Sequence, residues 1–265
     1  MTQMTPIVES FTPITLEETI DRASLQCRVD TKYLTDHVTV ANLLAELAGS
    51  FQMLEIQGRR AFRYRSEYLD SPGRDAYRAH LQGRRRRYKC RVRHYVDSGE
   101  SQMEVKLTGS RGETTKLRAP YGADQSVGDC ADFLATCVAD AYGLRIDHRL
   151  RPVLSAGYQR ITLVSRSSPE RVTLDNGLGF LDLATQRGCS LSEAQWIVET
   201  KTARGQGLAN AKLRDLHVRP VSLSKYILGV ALTNPEVRVN DYAGLIRGLD
   251  TSAVVVEPSR HITAA

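Results

Sequence analysis

Apolar and polar residues alternate along many short segments of this chain, and a period of two predicts half-buried strands. The segments are residues 27–34, 60–69, 88–96, 102–107, 115–118, 157–164, 171–174 and 196–201. A period near 3.6 instead predicts helices over residues 39–48, 74–81, 128–142 and 222–232, the first capped by Asp36 or Thr39. Because strands dominate and few helices separate them, we expect an antiparallel α+β fold.

The polar faces of these strands are unusually rich in full charges. In residues 88–96, Lys89, Arg91 and Arg93 alternate with Cys90 and Val92. In other strands too, charged residues two or four apart share one face. These groups are Asp30 and Lys32; Arg63, Arg65 and Glu67; Glu104 and Lys106; Lys116 and Arg118; Arg171 and Asp175; and Glu199 and Lys201. A solvated face explains any one strand, but its repetition in so many strands favours a shared charged surface.

Helices need an apolar sheet face to cover, so the charged stripes are expected on the opposite face. If the sheet closes on itself with the helices outside, those charges line an interior. The cations are then Lys32, Arg63, Arg65, Lys89, Arg91, Arg93, Lys106, Lys116, Arg118, Arg160, Arg171 and Lys201, and the acids are Asp30, Glu67, Glu104, Asp175 and Glu199. Enclosed cations repel one another without an anion, which predicts a triphosphate or longer phosphate chain as ligand. The acids suit Mg²⁺ or Mn²⁺.

The net charge supports an anionic partner for one part of the chain. Of 36 basic and 30 acidic residues, residues 59–118 hold 17 basic and 7 acidic ones. This excess fits phosphate chains, nucleic acid or anionic lipid. The basic run Arg84-Arg85-Arg86-Arg87 is either a solvated loop or a ligand contact. Nucleic acid is not the expected partner, since the other cations alternate along strands.

Further features of the sequence exclude several classes of protein. Five cysteines without a CxxC pair argue against a disulfide framework or a zinc site. Because an apolar run of roughly 18 residues is missing, we expect no transmembrane helix. The start of the chain lacks the pattern of a secretory signal, which favours the cytoplasm. We expect a flexible segment at 1–18, a single domain at 19–250 and a flexible tail at 251–265.

The charged segments, in their order, resemble the VTC (vacuolar transporter chaperone) domain. That family is the polyphosphate-polymerase branch of the triphosphate tunnel metalloenzymes. The resemblance is carried by residues 28–33, 66–70, 89–95, 104–106, 116–118, 158–160, 171–175, 198–201 and 224–226. Two positions depart from the family pattern: relatives often carry Glu where Asp30 stands, and some carry Lys where Ser222 stands.

The resemblance implies a closed antiparallel eight-stranded tunnel with helices outside, ATP or another nucleoside triphosphate as donor, Mn²⁺ or Mg²⁺, and polyphosphate as product. The catalytic residues would be Lys32, Arg91, Arg93, Lys106 and Glu199. The phosphate-binding residues would be Lys32, Arg65, Lys89, Arg91, Arg93, Lys106, Lys116, Arg118, Arg160, Arg171, Lys201, Ser224 and Lys225. The metal ligands would be Glu199 and Glu104. A metal-dependent triphosphatase and a non-catalytic polyphosphate-binding module remain alternatives.

Overall fold

The computed structural model of the chain describes residues 5–22, 29–109, 114–146 and 149–255. These residues fall into two units. The first unit consists of residues 1–63, 158–178 and 192–223, and the second of residues 64–157, 179–191 and 224–265. The segments interleave along the chain because three long strands contribute residues to both units.

The strands alternate with shorter helices along the chain. The strands are β1 (Thr12–Ile14), β2 (Val29–Asp36), β3 (Phe51–Leu54), β4 (Ala61–Asp70), β5 (Arg87–Tyr95), β6 (Ser101–Thr108), β7 (Thr114–Pro120), β8 (Arg151–Ser165), β9 (Arg171–Asp182), β10 (Arg187–Leu191), β11 (Gln195–Thr202) and β12 (Thr251–Val255). The helices are α1 (Thr5–Glu9), α2 (Leu16–Arg22), α3 (His37–Leu47), α4 (Asp75–Leu81), α5 (Val127–Tyr142), α6 (Leu208–Asp215), α7 (Lys225–Thr233) and α8 (Ala243–Arg247).

In the first unit, β11 pairs antiparallel with β2 along one edge and with β9 along the other. Strand β3 pairs antiparallel with β8 and parallel with β1. Helices α3 and α6 supply Val40, Leu43, Leu44, Leu47, Ala209 and Leu213 to the core, which also contains Val172, Leu174 and Val198 from the strands. Helix α3 begins where the Asp36 carboxylate accepts a hydrogen bond from the Thr39 backbone N–H at 2.8 Å, which confirms Asp36 as the cap.

In the second unit, β4, β5, β6 and β7 form consecutive antiparallel pairs, and β10 lies between β9 and β12. Helix α5 covers the apolar face of the β4–β7 strands. Its Cys130, Leu134, Cys137 and Val138 are buried with Cys90, Val92, Met103, Val105 and Leu107. The helix begins at a capping box of Ser126 and Asp129 and ends at Gly143, whose φ of +65° suits a residue without a Cβ.

Helix α7 is buried along most of its length within the second unit. A Cβ on Gly229 would stand 2.5 Å from both Leu154 Cδ2 and Phe180 Cδ1, so glycine allows this close packing. The Tyr226 ring stacks on Tyr68 with centroids 5.0 Å apart. Its hydroxyl donates to Asp70 at 2.6 Å. These contacts fix the start of α7 beside strand β4.

The antiparallel α+β class predicted from the pattern is confirmed. The four predicted helices are present as α3, α4, α5 and α7, with ends shifted by a few residues. Strands β8 and β9 are longer than expected, and regular structure extends into the expected flexible ends, as α1, β1 and β12. The closed eight-stranded tunnel and the single domain stay predictions.

The remaining expectations concern cysteines, the membrane and a hairpin. Within the described ranges, Cys90, Cys130, Cys137 and Cys189 are free and buried, and Cys27 lies outside these ranges. The described helices include none that is long and apolar enough to cross a membrane. The run Gly109-Ser110-Arg111-Gly112 separates two predicted strands and predicts a hairpin-like break there. This run lies mostly outside the described residues.

Candidate functional site

Basic residues from three neighbouring strands share one face of the second unit. In the β5–β6–β7 register, Lys89 lies opposite Lys106, and Lys106 opposite Lys116. Arg91 lies opposite Glu104, and Glu104 opposite Arg118. Residues paired across strands point to the same side of a sheet. The second-unit charged face therefore comprises Lys89, Arg91, Arg93, Glu104, Lys106, Lys116 and Arg118, and α5 covers the opposite side.

Glu104 is the centre of this face and is only 2% exposed. Arg91 reaches its Oε2 through Nε at 2.7 Å and through Nη2 at 2.5 Å. Lys116 Nζ lies 2.5 Å from Oε1. Arg118 Nε and Arg93 Nη1 lie 3.3 and 3.5 Å from the same oxygen. One buried carboxylate thus holds four cations in fixed positions.

The electrostatics of this cluster favour a further anion. Burial raises the pKa of Glu104, but Arg91, Lys116 and Arg118 outweigh it and hold the pKa at about 2. Burial lowers the pKa of Lys116 to about 7, and repulsion from Arg91 and Arg118 acts in the same direction against the attraction of Glu104. A single negative charge cannot neutralise three arginines and a partly protonated Lys116, so the cluster is short of negative charge.

Two polar atoms beside this cluster are buried and have no hydrogen-bond partner among the described residues. They are Arg93 Nε and the hydroxyl of Ser66, which lies opposite Arg93 in the β4–β5 register. Buried polar groups in native proteins are nearly always hydrogen-bonded. These donors fit a site whose oxyanion ligand completes the hydrogen bonding.

Helix α7 begins next to the charged face. Lys89 Nζ donates to Ser224 Oγ at 3.0 Å, directly before the first residue of α7, Lys225. Arg91 Nη1 donates to the Tyr68 hydroxyl at 3.2 Å, and Tyr68 in turn stacks on α7. The structure therefore brings the predicted residues Ser224 and Lys225 to the same region as Lys89.

Arg65 is not brought to this face, contrary to the expectation from the sequence. In the β4–β5 register, Ser66 lies opposite Arg93 and Tyr68 opposite Arg91, so these even-numbered residues face the cations. Arg65 lies opposite His94 instead, on the side that α5 covers. Its Nε is 3.6 Å from Glu67 Oε1, and its side chain is 54% exposed. Alternation correctly grouped Arg65 with Glu67 but did not reveal which side that group faces.

The first unit carries a second charged face, on strands β2, β9 and β11. Glu199 lies opposite Lys32 and Thr173, and Lys201 lies opposite Asp30 and Arg171. On β8, Arg160 donates two hydrogen bonds to Asp175, at 2.6 and 2.7 Å. The first-unit charged face therefore comprises Asp30, Lys32, Arg160, Arg171, Asp175, Glu199 and Lys201.

Glu199 occupies a position in this face like that of Glu104 in the other. Lys201 Nζ donates to its Oε1, and Lys32 Nζ lies 3.7 Å from the same atom. Burial raises the pKa of Glu199, but Lys201, Lys32 and Arg160 hold it well below its ordinary range. Burial lowers the pKa of Lys201. The buried hydroxyl of Thr173, opposite Glu199, has no hydrogen-bond partner within the described part of the chain.

The two predicted metal ligands differ in how well they fit that role. The described ranges contain no group of three or more His, Cys, Asp or Glu side chains that could hold a metal. Mg²⁺ commonly takes one or two carboxylates plus phosphate oxygens, so Glu199 fits only together with a bound phosphate. Glu104 fits poorly, because cations contact both of its oxygens and it is nearly inaccessible.

Tyr68 is not among the site residues predicted from the sequence, because a tyrosine on a strand packs in the core by default, although it can also contact a ligand. Its hydroxyl contacts Arg91, and the Arg91 guanidinium lies 5.8 Å from the Tyr68 ring centroid. Tyr226, likewise unassigned, orients Tyr68 by stacking. The signal available in the sequence was alternation: Tyr68 follows Ser66 on the face opposite to Arg65 and Glu67.

This α+β protein thus has two strand faces, each with an ionised and mostly buried carboxylate surrounded by lysines and arginines, which is an arrangement that suits anions. The model of the VTC domain family matches residues 27–234, so the chain belongs to the VTC domain family. The resemblance found in the sequence is thereby confirmed.

Solved structures share similarity over most of the chain at low identity. The Hippeastrum protein HpAC1, described as an adenylyl cyclase candidate with a dominant triphosphatase activity, is 13% identical with a TM-score of 0.48, covering 81% of this chain and 99% of that one. The PH1819 protein of Pyrococcus horikoshii OT3 is 14% identical with a TM-score of 0.43, covering 77% and 95%. No curated protein matches the chain.

Proposed function

We propose that the chain is a metal-dependent polyphosphate polymerase, which transfers the γ-phosphate of ATP or another nucleoside triphosphate to a growing phosphate chain. The observation that carries this proposal is the cluster around Glu104, where four cations share one buried carboxylate. The closed eight-stranded tunnel is part of the proposal and rests on the family resemblance.

In the second unit, the cations are held in place before any ligand arrives. Glu104 fixes Arg91 and Lys116 at hydrogen-bonding distance, which reduces the reorganisation needed when phosphate binds. The planar guanidinium of arginine can bind two phosphate oxygens while a further N–H remains on Glu104. Phosphate-binding roles follow for Lys89, Arg91, Arg93, Lys106, Lys116, Arg118, Ser224 and Lys225.

In the first unit, the same roles fall to Lys32, Arg160, Arg171 and Lys201. A Mn²⁺ or Mg²⁺ ion, when bound, would neutralise charge on phosphate oxygens, and Glu199 is the residue that would hold it. Glu199 stays ionised because Lys201 and Lys32 lie beside it. An ionised carboxylate is the form that a divalent cation requires.

The chemistry asks these residues for positioning and charge neutralisation. Phosphoryl transfer passes through a loose transition state whose charge spreads over the equatorial oxygens, and fixed cations stabilise that charge. The acceptor is the terminal phosphate of the growing chain, which is already ionised. The proposed polymerase therefore needs no catalytic base to deprotonate the nucleophile.

The test is incubation with ATP and Mn²⁺, followed by a gel stained for long phosphate chains and a parallel assay of free phosphate. The polymerase makes stainable chains, and Arg91→Gln should abolish them because it removes a cation held against Glu104. Arg65→Gln is the matched control, since Arg65 lies on the opposite face. Free phosphate as the sole product would replace the proposal with a triphosphatase, and binding without turnover would replace it with a polyphosphate-binding module.

A further inference from the structure

Four consecutive arginines connect α4 to β5 in the second unit. Arg84, Arg85 and Arg86 are exposed, and Arg87 is the first residue of β5. We call residues 83–87 the basic loop. Within the described ranges, no ion pair joins any of its arginines to an acid; Arg84 Nε instead donates to Gln82 Oε1, and Arg87 Nη1 to the Arg84 carbonyl. The loop therefore concentrates positive charge that the described protein does not neutralise.

A cavity of about 300 Å³ lies against this loop. Arg84, Arg86 and Arg87 contribute three cations to its lining, and Ala76 and Ala79 of α4 contribute an apolar wall. Its volume is at the lower limit of typical ligand pockets. A concave site lined by several arginines matches oxyanions, which arginine binds through paired N–H groups.

The cavity also contains one carboxylate, which already has partners. Asp75 Oδ1 is 2.5 Å from Arg78 Nη2, and its Oδ2 accepts a hydrogen bond from Ser71 Oγ at 2.6 Å. The nearest acid is thus engaged with groups outside the basic loop. The charge of the lining remains positive.

The basic loop is continuous with the second-unit charged face. Arg87 lies on the same side of β5 as Lys89, Arg91 and Arg93, because alternate residues of a strand share a side. Residues two apart on a strand are about 7 Å apart. Arg87 Nε is buried without a hydrogen-bond partner among the described residues. Lys89, paired across the sheet with Lys106, is the next cation of the face. A ligand longer than the charged face would reach the basic loop at this end.

We propose that the basic loop is a second anion site, which binds an inorganic phosphate chain beyond the second-unit charged face. This inference rests on the proposed function and extends it, since a triphosphate alone would not need the loop. Proteins that bind single-stranded nucleic acid stack bases on aromatic side chains. The aromatic residue of the cavity, Tyr88, packs against the core under α5 instead. A chain of phosphates without bases fits the lining better.

The test compares the binding of tripolyphosphate and of long-chain polyphosphate to the full chain at fixed salt, by calorimetry. The test variant carries Arg84→Gln, Arg85→Gln and Arg86→Gln. The matched control carries Arg187→Gln, Arg214→Gln and Arg247→Gln, which removes the same charge from exposed positions elsewhere. Each of the three arginines is expected to form one exposed ion pair with a phosphate of the ligand. Loss of these three pairs predicts about tenfold weaker binding of the long chain by the test variant alone. The test variant should bind tripolyphosphate with the same affinity as the unmodified protein. That result would also show that the test variant is folded.

Several outcomes would overturn the inference. Equal long-chain losses in the two variants would make the effect one of net charge alone. Equal losses for both ligands in the test variant would place the loop inside the triphosphate site. Duplex DNA that binds the loop more tightly than polyphosphate of equal phosphate count would make the loop a nucleic-acid site. Failure of the unmodified protein to bind tripolyphosphate would instead refute the proposed function, and this inference with it.

Discussion

Replacing Glu104 by glutamine tests the role of the buried carboxylate most sharply. The substitution keeps the size and one hydrogen-bond acceptor, but it removes the only negative charge among Arg91, Arg93, Lys116 and Arg118 within the described cluster. In the absence of a ligand, four cations then repel one another in a largely buried site. We expect Glu104→Gln to destabilise the free protein.

The magnitude follows from the pKa of Glu104. That pKa falls from its ordinary 4.5 to about 2 on folding, and each pKa unit corresponds to about 1.4 kcal/mol, so the ionised group stabilises the fold by about 3 kcal/mol. At about 2–4 °C per kcal/mol for a chain of roughly this size, the variant should melt about 6–12 °C lower. Because the folded-state pKa is depressed, the difference is complete above pH 5 and disappears as the pH falls towards 2.

An anion should reverse much of this loss. Tripolyphosphate supplies the negative charge that the variant lacks, so it should raise the melting temperature of Glu104→Gln more than that of the unmodified protein. A ligand at 100 times its Kd stabilises the folded state by about 2.7 kcal/mol, which is enough to detect. The assay is thermal unfolding followed by circular dichroism at neutral pH, with and without tripolyphosphate.

Glu67→Gln is the matched control for this experiment. Glu67 lies on the opposite side of β4, 31% exposed and close to Arg65 and His94. Its replacement should lower the melting temperature only slightly, with no added response to tripolyphosphate. The reasoning would be refuted if Glu104→Gln melted like the unmodified protein, or if tripolyphosphate stabilised it less than the unmodified protein.

Three further changes probe other parts of the account. Glu199→Gln should abolish turnover of ATP at saturating Mn²⁺ while tripolyphosphate still binds; an unchanged rate would remove Glu199 from the metal site. With a Lys116 pKa of about 7, tripolyphosphate affinity should fall as the pH rises from 6 to 8, and Lys116→Arg, which stays charged, should flatten this profile in calorimetric titrations. Gly229→Ala should cost about 1–3 kcal/mol in denaturant unfolding, because its Cβ would overlap Leu154 and Phe180; equal stability would show that the helix can shift.

The charged faces were predictable from the sequence where apolar neighbours fixed the orientation of a strand. In β5, Cys90 and Val92 face α5, so Lys89, Arg91 and Arg93 had to face the other way. Successive side chains of an extended backbone point to opposite sides, so this inference does not depend on contacts with distant residues. The same argument holds for β6, β7 and β11.

The orientation of strand β4 could not be predicted from alternation. Both of its faces carry polar or aromatic residues, so the pattern could not say which face joined the cations. Only the register, with Ser66 opposite Arg93, places Arg65 on the side of α5. Register depends on pairing with strands distant in sequence, which a local pattern does not contain.

Helix α6 was missed because its signals are not local. Its N-terminal N–H groups of Leu208 and Ala209 donate to the carboxylate of Glu170, at 2.9 and 3.0 Å, instead of to a capping residue beside them. Gly207 at the cap position offers no side chain, and the helix is short. Such a start signal lies 38 residues away along the chain and escapes a search for adjacent capping residues.

The central claim is that the basic strand faces bind the phosphates of a nucleoside triphosphate. A crystal structure of the protein soaked with a non-hydrolysable ATP analogue and Mn²⁺ tests it directly. On the second-unit charged face we expect phosphate oxygens within hydrogen-bonding distance of Arg91 and Lys116. On the first-unit charged face we expect phosphate oxygens beside Lys32 and the ion on Glu199. Phosphates bound away from both charged faces, with those side chains left as they are in the free protein, would contradict it.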